Sequence, residues 1–282
     1  MKIIFLGTSA GEEYPGIWCE CENCAKAREW GGKNIRRNSS VILDGDVMID
    51  MGKTAHIQAE RFGLNLREIR TLLVTHSHKD HFNTHTLWTR SAAFPPAPCL
   101  NIFGSKQVYD TLLNNERYNS DSWQVSFNLA EPFQKYNISG NLEIYTLDGN
   151  HGDGQARAVN YIITRGSRTF LYLSDTGWPF DETLEALARF KYDFIITEGT
   201  GGLADYWGGH LNLDKNIELL EFFNANKLWK AKPDYYVTHV APHWCPPHDE
   251  YAPVLEKHGL KLAYDGLVLE YPYDKRCEKC SS

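Results

Sequence analysis

The chain has 282 residues, 42% of them hydrophobic, which is enough for one large domain with a substantial core. Its formal net charge is −7 and no Lys/Arg-rich block stands out, which argues against a general nucleic-acid-binding surface. No apolar stretch is long enough to cross a membrane or to form the core of a signal peptide, so we expect a protein of the cytoplasm.

Apolar runs and turn signals predict the secondary structure in chain order. Residues 2–6 form an opening strand, and residues 41–43 and 47–49 flank Asp44-Gly45-Asp46, which predicts a hairpin. A helical pattern follows at residues 53–62, before a short buried strand at 71–74. Further strands are expected at residues 100–103, 142–147, 159–163, 170–173, 194–196, 235–237 and 267–269. Helical patterns occur at residues 105–115, 181–190, 213–228 and 250–257.

This order of elements predicts an α/β domain in which mixed sheets are covered by helices. Strands cluster in hairpins early in the chain and alternate with helices later. No linker, repeat or low-complexity tract divides the sequence. We therefore expect a single domain over residues 1–282, with a short cysteine-containing tail at residues 272–282.

Four potential metal ligands lie within six residues, directly after the strand at residues 71–74. They are His76, His78, Asp80 and His81. A strand end followed by a tight turn and a helix start would bring these side chains to one point. Imidazoles mixed with a carboxylate suit Zn²⁺, Mn²⁺ or Fe²⁺ better than Ca²⁺ or Mg²⁺. The motif therefore predicts a catalytic metal site, and an exposed histidine-rich loop is the less favoured interpretation.

Three further candidate ligands each follow an apolar strand. His151 follows residues 142–147, Asp175 follows 170–173, and His239 follows 235–237. Side chains at strand ends are held by the sheet yet face a cleft, where a catalytic site is best preorganised. Each alone is equally compatible with a loop histidine or a capping aspartate. Beside the first motif, we expect all three to complete the metal site.

The order His-x-His-x-Asp-His, a later His, Ser-Asp-Thr and a later Thr-His resembles the metallo-β-lactamase-fold hydrolases over nearly the whole chain. The resemblance implies an αββα sandwich of two mixed sheets covered by helices. It also implies two divalent metal ions, bridged by Asp175. The first ion would be held by His76, His78 and His151, and the second by Asp80, His81 and His239.

The same resemblance gives roles to further residues and to the metals. Asp50, which ends the strand at 47–49, stands where the family has a carboxylate that orients a ligating imidazole. Two metal ions would activate a bridging hydroxide and neutralise the charge of a phosphodiester, so hydrolysis is the expected reaction. Asp80 belongs to the catalytic set implied in this way.

Cys19, Cys21 and Cys24 place three thiols within six residues. One more ligand would complete a structural Zn²⁺ site, since such sites are closed and tetrahedral. The cluster resembles the carbon–phosphorus lyase accessory phosphodiesterase subgroup, which opens phosphoribosyl cyclic phosphates, and also pyrroloquinoline quinone biosynthesis protein B. By this resemblance His243 is the fourth ligand, although it lies one residue further along than the family pattern. Cys277 or Cys280 in the tail are rival suppliers.

The phosphodiesterase resemblance extends to His210 within Gly-Gly-His-Leu-Asn-Leu. In that phosphodiesterase family the matching histidine faces the substrate and assists proton transfer to the leaving oxygen. Histidine suits this role because its ordinary pKa lies near neutrality. Arg36, Arg37 and Arg90 could help to bind phosphate, but surface ion pairs explain arginines equally well.

These features favour a dinuclear metal phosphodiesterase that acts on a small cyclic or nucleotide-like phosphate. The alternatives are a tRNA 3′-processing endonuclease and a cofactor-biosynthesis protein resembling pyrroloquinoline quinone biosynthesis protein B. The acidic chain argues against nucleic acid as a partner, because it has no basic, glycine-rich insertion that could bind RNA. The sequence leaves open the exact substrate, the choice among Zn²⁺, Mn²⁺ and Fe²⁺, and whether the chain forms a homodimer.

Overall fold

The computed structural model describes residues 1–138, 140–151 and 158–273. Within these ranges it has fourteen strands and eight α-helices. The strands are β1 (Lys2–Gly7), β2 (Ser40–Leu43), β3 (Val47–Ile49), β4 (Thr71–Leu73), β5 (Leu100–Gly104), β6 (Val125–Leu129), β7 (Lys135–Ile138), β8 (Leu142–Gly149), β9 (Ala158–Arg165), β10 (Arg168–Leu173), β11 (Phe194–Glu198), β12 (Tyr235–Thr238), β13 (Lys261–Leu262) and β14 (Val268–Glu270). The helices are α1 (Glu22–Trp30), α2 (Ala55–Arg61), α3 (Thr84–Trp88), α4 (Lys106–Leu113), α5 (Ser120–Trp123), α6 (Asp181–Leu187), α7 (Leu213–Ala225) and α8 (His248–Glu256).

The strands form two mixed sheets of seven strands each within the described ranges. The first has the order β14-β1-β2-β3-β4-β5-β6, and the second has the order β13-β12-β11-β10-β9-β8-β7. Strands β3 to β6 are parallel, and so are β10 to β13. Because the carboxyl ends of parallel strands meet at one edge of a sheet, residues that follow these strands are brought close together.

Three apolar cores hold four layers together. Side chains of both sheets, including Phe5, Val41, Tyr161 and Phe194, fill the central core. A second core packs α2, α4 and α5 on the outer face of the first sheet. A third packs α6, α7 and α8 on the outer face of the second sheet. The arrangement is the expected αββα sandwich. Most of its strands are buried on both faces, which explains why their sequences are continuous apolar runs.

The predicted elements are present, with ends that shift by a few residues. The Asp44-Gly45 turn joins β2 and β3 in antiparallel register, with φ angles of 51° and 84° at these two residues. The sequence patterns did not predict α1, α5, β6, β7 and β13. The three strands all lie at sheet edges, and β7 alternates between exposed and half-buried residues, so they lack the apolar run that marked the buried strands. No described helix combines the length and the apolar character needed to cross a bilayer.

Three residues that directly or nearly follow strands adopt left-handed backbone conformations. The φ angles are 57° at Asp50, 49° at Asp175 and 51° at His239. A residue other than glycine pays a steric penalty in this region, which persists only where the surrounding structure imposes it. All three lie at the edge where the predicted metal ligands converge.

Candidate metal centre

The first predicted ligand set comes together at the ends of β4, β8 and β10. The ligand atoms of His76, His78, His151 and Asp175 all lie within 4.8 Å of one another. Nε2 of His76 is 2.8 Å from Nδ1 of His78 and 3.2 Å from the Asp175 carboxylate. His76 is buried whereas His78 is exposed, so this set opens toward solvent.

The second predicted set lies deeper and shares Asp175 with the first. The ligand atoms of Asp80, His81, Asp175 and His239 again lie within 4.8 Å of one another. His81 Nε2 is 3.3 Å from both carboxylates, and His239 lies on a strand end of the second sheet. The structure thus brings all seven predicted ligands into two adjoining groups with Asp175 between them.

The hydrogen bonds of two imidazoles indicate that the second group is built for a cation. Nδ1 of His81 lies 2.8 Å from Asp50, which can only accept, so this nitrogen carries the proton. The Thr200 hydroxyl is 2.8 Å from the His239 carbonyl oxygen and 2.8 Å from His239 Nδ1, so it donates to the first and accepts from the second. With both Nδ1 atoms engaged, the two Nε2 atoms face each other 3.0 Å apart beside Asp80 and Asp175. These nitrogens and carboxylates form a donor set that a divalent metal ion fits.

Asp50 holds His81 in place from behind. It is fully buried and accepts hydrogen bonds from the backbone N–H of Thr75 at 2.7 Å and from the Thr75 hydroxyl. A carboxylate behind a ligating imidazole fixes its tautomer and orientation. The position expected for Asp50 from sequence is therefore the one it occupies.

The electrostatics of the cluster suit a cation as well. Burial lowers the pKa of His76 to about 4, and the charge of His81 acts in the same direction. Burial also opposes protonation of His81, but Asp80 and Asp50 raise its pKa well above its usual range. Burial alone would raise the pKa of Asp175, yet the surrounding imidazoles hold it well below its usual range. The buried Asp175 carboxylate is thus ionised and places negative charge where the imidazoles converge.

His210 lies next to Asp175 and is oriented by a second buried carboxylate. Its Nδ1 is 3.0 Å from Asp175 and 3.2 Å from Glu198. Glu198 is itself fixed by the backbone N–H groups of Thr200 and Leu211, at 2.6 and 2.7 Å. Burial would lower the pKa of His210, but its bonds to Asp175 and Glu198 raise it to about 10.

Glu198 and Thr200 are site residues that sequence reasoning missed. Glu198 is the last residue of β11 and is fully buried, so only its charge at the end of a mostly apolar run could have marked it. The Thr200 hydroxyl contact depends on how the turn after β11 meets the end of β12. No local sequence pattern encodes that contact.

The three cysteines of the N-terminal motif also meet. The sulfur atoms of Cys19, Cys21 and Cys24 lie within 4.8 Å of one another at the start of α1. Burial raises the pKa of Cys24 to about 12, so its thiolate needs a cation nearby. Among the described residues, His243 does not join this group, although Pro242 next to it accepts a hydrogen bond from Asn23 on α1. Cys277 and Cys280 lie outside the described residues, so the fourth ligand stays a prediction.

Two arginines considered for phosphate binding have structural partners instead. Arg36 is fully buried and bonds to the Thr8 hydroxyl, the Ala263 carbonyl and His248. Arg90 donates to backbone carbonyls, among them that of Trp123. Both guanidinium groups are therefore engaged in structural hydrogen bonds, none of which involves a residue of the metal centre.

Comparison with known families assigns the fold and its superfamily. Residues 46–230, from the β2–β3 hairpin to beyond α7, match the beta-lactamase superfamily domain. The chain belongs to the beta-lactamase superfamily. The superfamily fold and the histidine–aspartate cluster support the metal-dependent hydrolase that is expected from the sequence. No curated protein sequence matches the chain significantly.

Several solved structures match the chain over nearly its full length. A diphosphatase of the PhnP family is 25% identical, with a TM-score of 0.75 and 96% of each chain covered. Zn²⁺-bound PqqB from Methylobacterium extorquens is 17% identical, with a TM-score of 0.74 over 96% of this chain and 100% of that one. The short form of human tRNase Z is 18% identical, with a TM-score of 0.63 over 96% and 100% of the two chains. The similarities to PqqB and to tRNase Z, at 17% and 18% identity, show a shared fold.

Proposed function

We propose that this superfamily member is a dinuclear metal phosphodiesterase that acts on a small cyclic or nucleotide-like phosphate. The observation that carries the proposal is the pair of ligand groups that share Asp175, with His210 3.0 Å from the same carboxylate. In this arrangement two cations would bind side by side, next to the proton-carrying imidazole of His210. This combination suits hydrolysis of a charged diester better than hydrolysis of a neutral carbonyl compound.

The residues of the chain divide the work between binding and proton transfer. When bound, two divalent ions lower the pKa of a water molecule and neutralise charge on the phosphate. Asp175 holds the two ligand groups together, and Asp50 fixes the ring of His81. His210, oriented by Glu198, is the group placed to protonate the leaving oxygen.

Two lines of support favour a phosphoryl substrate. The PhnP-family diphosphatase belongs by its name to the enzymes that hydrolyse a phosphorus–oxygen linkage, and it is 25% identical to this chain over 96% of its length. The chain also has the cysteine cluster whose order resembles the phosphodiesterase subgroup. We propose that Cys19, Cys21, Cys24 and His243 bind one structural Zn²⁺, and that Zn²⁺ or Mn²⁺ binds in the catalytic site.

Hydrolysis of bis(p-nitrophenyl) phosphate by the metal-loaded protein tests the proposal. We expect turnover that is abolished by a chelator and by Asp80→Ala. Asp110→Ala, which removes an aspartate paired with Lys106 on the surface of α4, should retain activity. Full metal occupancy without turnover of any phosphodiester, including ribose cyclic phosphates, would contradict the proposal.

The role of His210 can be separated from that of a metal ligand. Asp175, Glu198 and His210 also form a group of potential ligands. We expect His210→Ala to lower kcat by about 100-fold or more, as loss of a general acid does, while metal content stays at the wild-type value. Loss of a metal ion from this variant would show that His210 is a ligand instead.

A second candidate function is hydrolysis of a diphosphate linkage, which the similarity to the PhnP-family diphosphatase favours. The same metal centre would serve, because the reaction again places charge on phosphoryl oxygens. Parallel assays with a nucleoside diphosphate derivative and a nucleoside cyclic phosphate distinguish the two, by the ratio of kcat/KM values. A cofactor-biosynthesis role like that of PqqB would give neither activity, and a tRNA 3′-processing enzyme would cleave precursor tRNA.

A further inference from the structure

Two tryptophans near His210 are left largely uncovered. Trp207 and Trp244 are 45% and 38% exposed. Their ring centroids are 4.9 Å apart, with planes inclined at 44°. Adjacent exposed indoles form an apolar surface of the kind that marks a ligand-binding or interaction site.

The position of this pair links it to the metal centre. The ring centroid of Trp207 is 6.1 Å from that of His210, and His210 contacts Asp175, which both ligand groups share. The indoles are therefore one side chain away from the point where a phosphate would be held. A ring attached to that phosphate would reach them.

Both indoles stand on backbone that is fixed without a ligand. The carbonyl of Trp244 accepts a hydrogen bond from the Leu203 N–H at 2.9 Å. A Cβ at Gly202 would lie 2.1 Å from that carbonyl oxygen, so the two segments approach more closely than any other residue type allows. A surface that is ordered in advance loses little entropy when a ligand stacks on it.

The segment that carries Trp207 is held in a similar way. The hydroxyl of Tyr206 accepts from the Trp178 N–H at 2.8 Å and donates to the Gly208 carbonyl at 3.2 Å. Gly208 also lies against Gly177, where a Cβ would be 2.0 Å from the Gly208 carbonyl oxygen. The loop before His210 is thus locked to the turn after β10, which carries Asp175.

We propose that Trp207 and Trp244 form a stacking platform for the nucleobase of a nucleotide-derived substrate. The proposal rests on the proposed function, because the base must be attached to the phosphate bound at the metal centre. Purines and pyrimidines have planar π faces that stack on indole, whatever their hydrogen-bonding edges. The platform is a specificity device: it binds the part of the substrate that does not react.

Two chromogenic diesters with the same leaving group test the platform. Thymidine 5′-(p-nitrophenyl phosphate) carries a base, whereas methyl p-nitrophenyl phosphate does not. For Trp207→Leu and Trp244→Leu we expect KM for the thymidine ester to rise about tenfold, as loss of one base–aromatic stack does, with kcat within twofold of wild type. We expect kcat/KM for the methyl ester to stay unchanged.

Trp30→Leu is the matched control, since Trp30 is 42% exposed and lies at the end of α1. This variant should hydrolyse both esters with the kcat/KM of wild type. If kcat/KM fell equally for both esters in the Trp207 and Trp244 variants, or fell for neither ester, the platform would be overturned. Thermal unfolding of each variant shows whether it remains folded.

A binding measurement separates failure of the platform from failure of the proposed function. Calorimetry with thymidine 5′-monophosphate and with ribose 5-phosphate should show tighter binding of the nucleotide to wild-type protein. We expect that difference to disappear in Trp207→Leu and Trp244→Leu but not in Trp30→Leu. Absence of turnover of the methyl ester would count against the phosphodiesterase, whereas equal affinity for the two phosphates would count against the platform.

Discussion

At the scale of single residues, the site depends on groups that orient the ligands as much as on the ligands. Asp50 accepts from Thr75 and His81 while fully buried, and Thr200 fixes the ring of His239. The left-handed backbone at Asp50, Asp175 and His239 places each side chain at the shared edge of the sheets. Local strain at these three positions is thus part of how the site is built.

Asp50→Asn tests the role of the orienting carboxylate. An amide can donate where the carboxylate only accepts, so His81 loses its fixed tautomer, and we expect metal affinity to fall by about 10- to 100-fold. Competition with a chromophoric chelator measures this affinity. Asp110→Asn is the control on the protein surface, and unchanged metal affinity in a folded Asp50→Asn protein would contradict the assigned role.

The buried imidazole of His248 should make the stability of the protein depend on pH. Burial, together with the charge of Arg36 at 2.9 Å, lowers the pKa of His248 to about 3, against about 6.5 in an unfolded chain. As pH falls below about 6.5, His248 takes up a proton in the unfolded chain but not in the folded one. The free energy of unfolding therefore decreases as pH falls from 6.5 toward 3. At pH 5.5 the loss is about 1.4 kcal/mol.

Urea unfolding at pH 7.5 and pH 5.5 measures this contribution. His248→Gln keeps an acceptor for Arg36 but has no titrating ring, so its stability should fall about 1.4 kcal/mol less than that of wild type over this interval. His258→Gln, at an exposed position, should behave as wild type. Equal losses in wild type and His248→Gln would show that His248 is not held neutral by Arg36.

At the scale of elements, the start of α1 is where a bound metal would contribute most to stability. No side chain caps this helix, and its first turn carries the buried thiol of Cys24. The loop that holds His243 contacts the same helix through Pro242 and Asn23. A structural ion here would join two segments that lie more than 200 residues apart in the chain.

Metal content per chain tests this site and its fourth ligand. We expect three ions in wild type and two in Cys24→Ala and in His243→Ala, with a lower Tm in both variants because a closed zinc site contributes folding energy. His258→Ala should retain three. Three ions in His243→Ala would exclude His243 as the fourth ligand, and three in Cys24→Ala would exclude the zinc site.

At the scale of the whole molecule, the sequence predicted what depends on local patterns. The motif from His76 to His81 and the strand-end positions of His151, Asp175 and His239 were visible as polar residues after apolar runs. Their meeting at one edge follows from the order and direction of the strands, which the superfamily fold supplies. The alternation of elements predicted mixed sheets covered by helices, and the resemblance to the metallo-β-lactamase-fold hydrolases implied the αββα architecture.

What escaped prediction depends on tertiary register. Glu198 pairs in register with Thr238 of β12, and this pairing places Thr200 beside His239. The loop after β11 folds back so that His210 reaches Glu198. The Trp207–Trp244 pair joins two loops that are 37 positions apart, and no local period connects them. Contacts between loops are set by packing rather than by the sequence of either loop.

The central claim is that the histidine–aspartate cluster is a dinuclear metal centre. Anomalous diffraction from metal-loaded crystals, recorded at the absorption edges of zinc and manganese, tests it most directly. We expect two peaks on either side of Asp175, one bounded by His76, His78 and His151 and the other by Asp80, His81 and His239. A single peak in the cluster of a fully loaded crystal, or two peaks that do not share Asp175, would contradict the account.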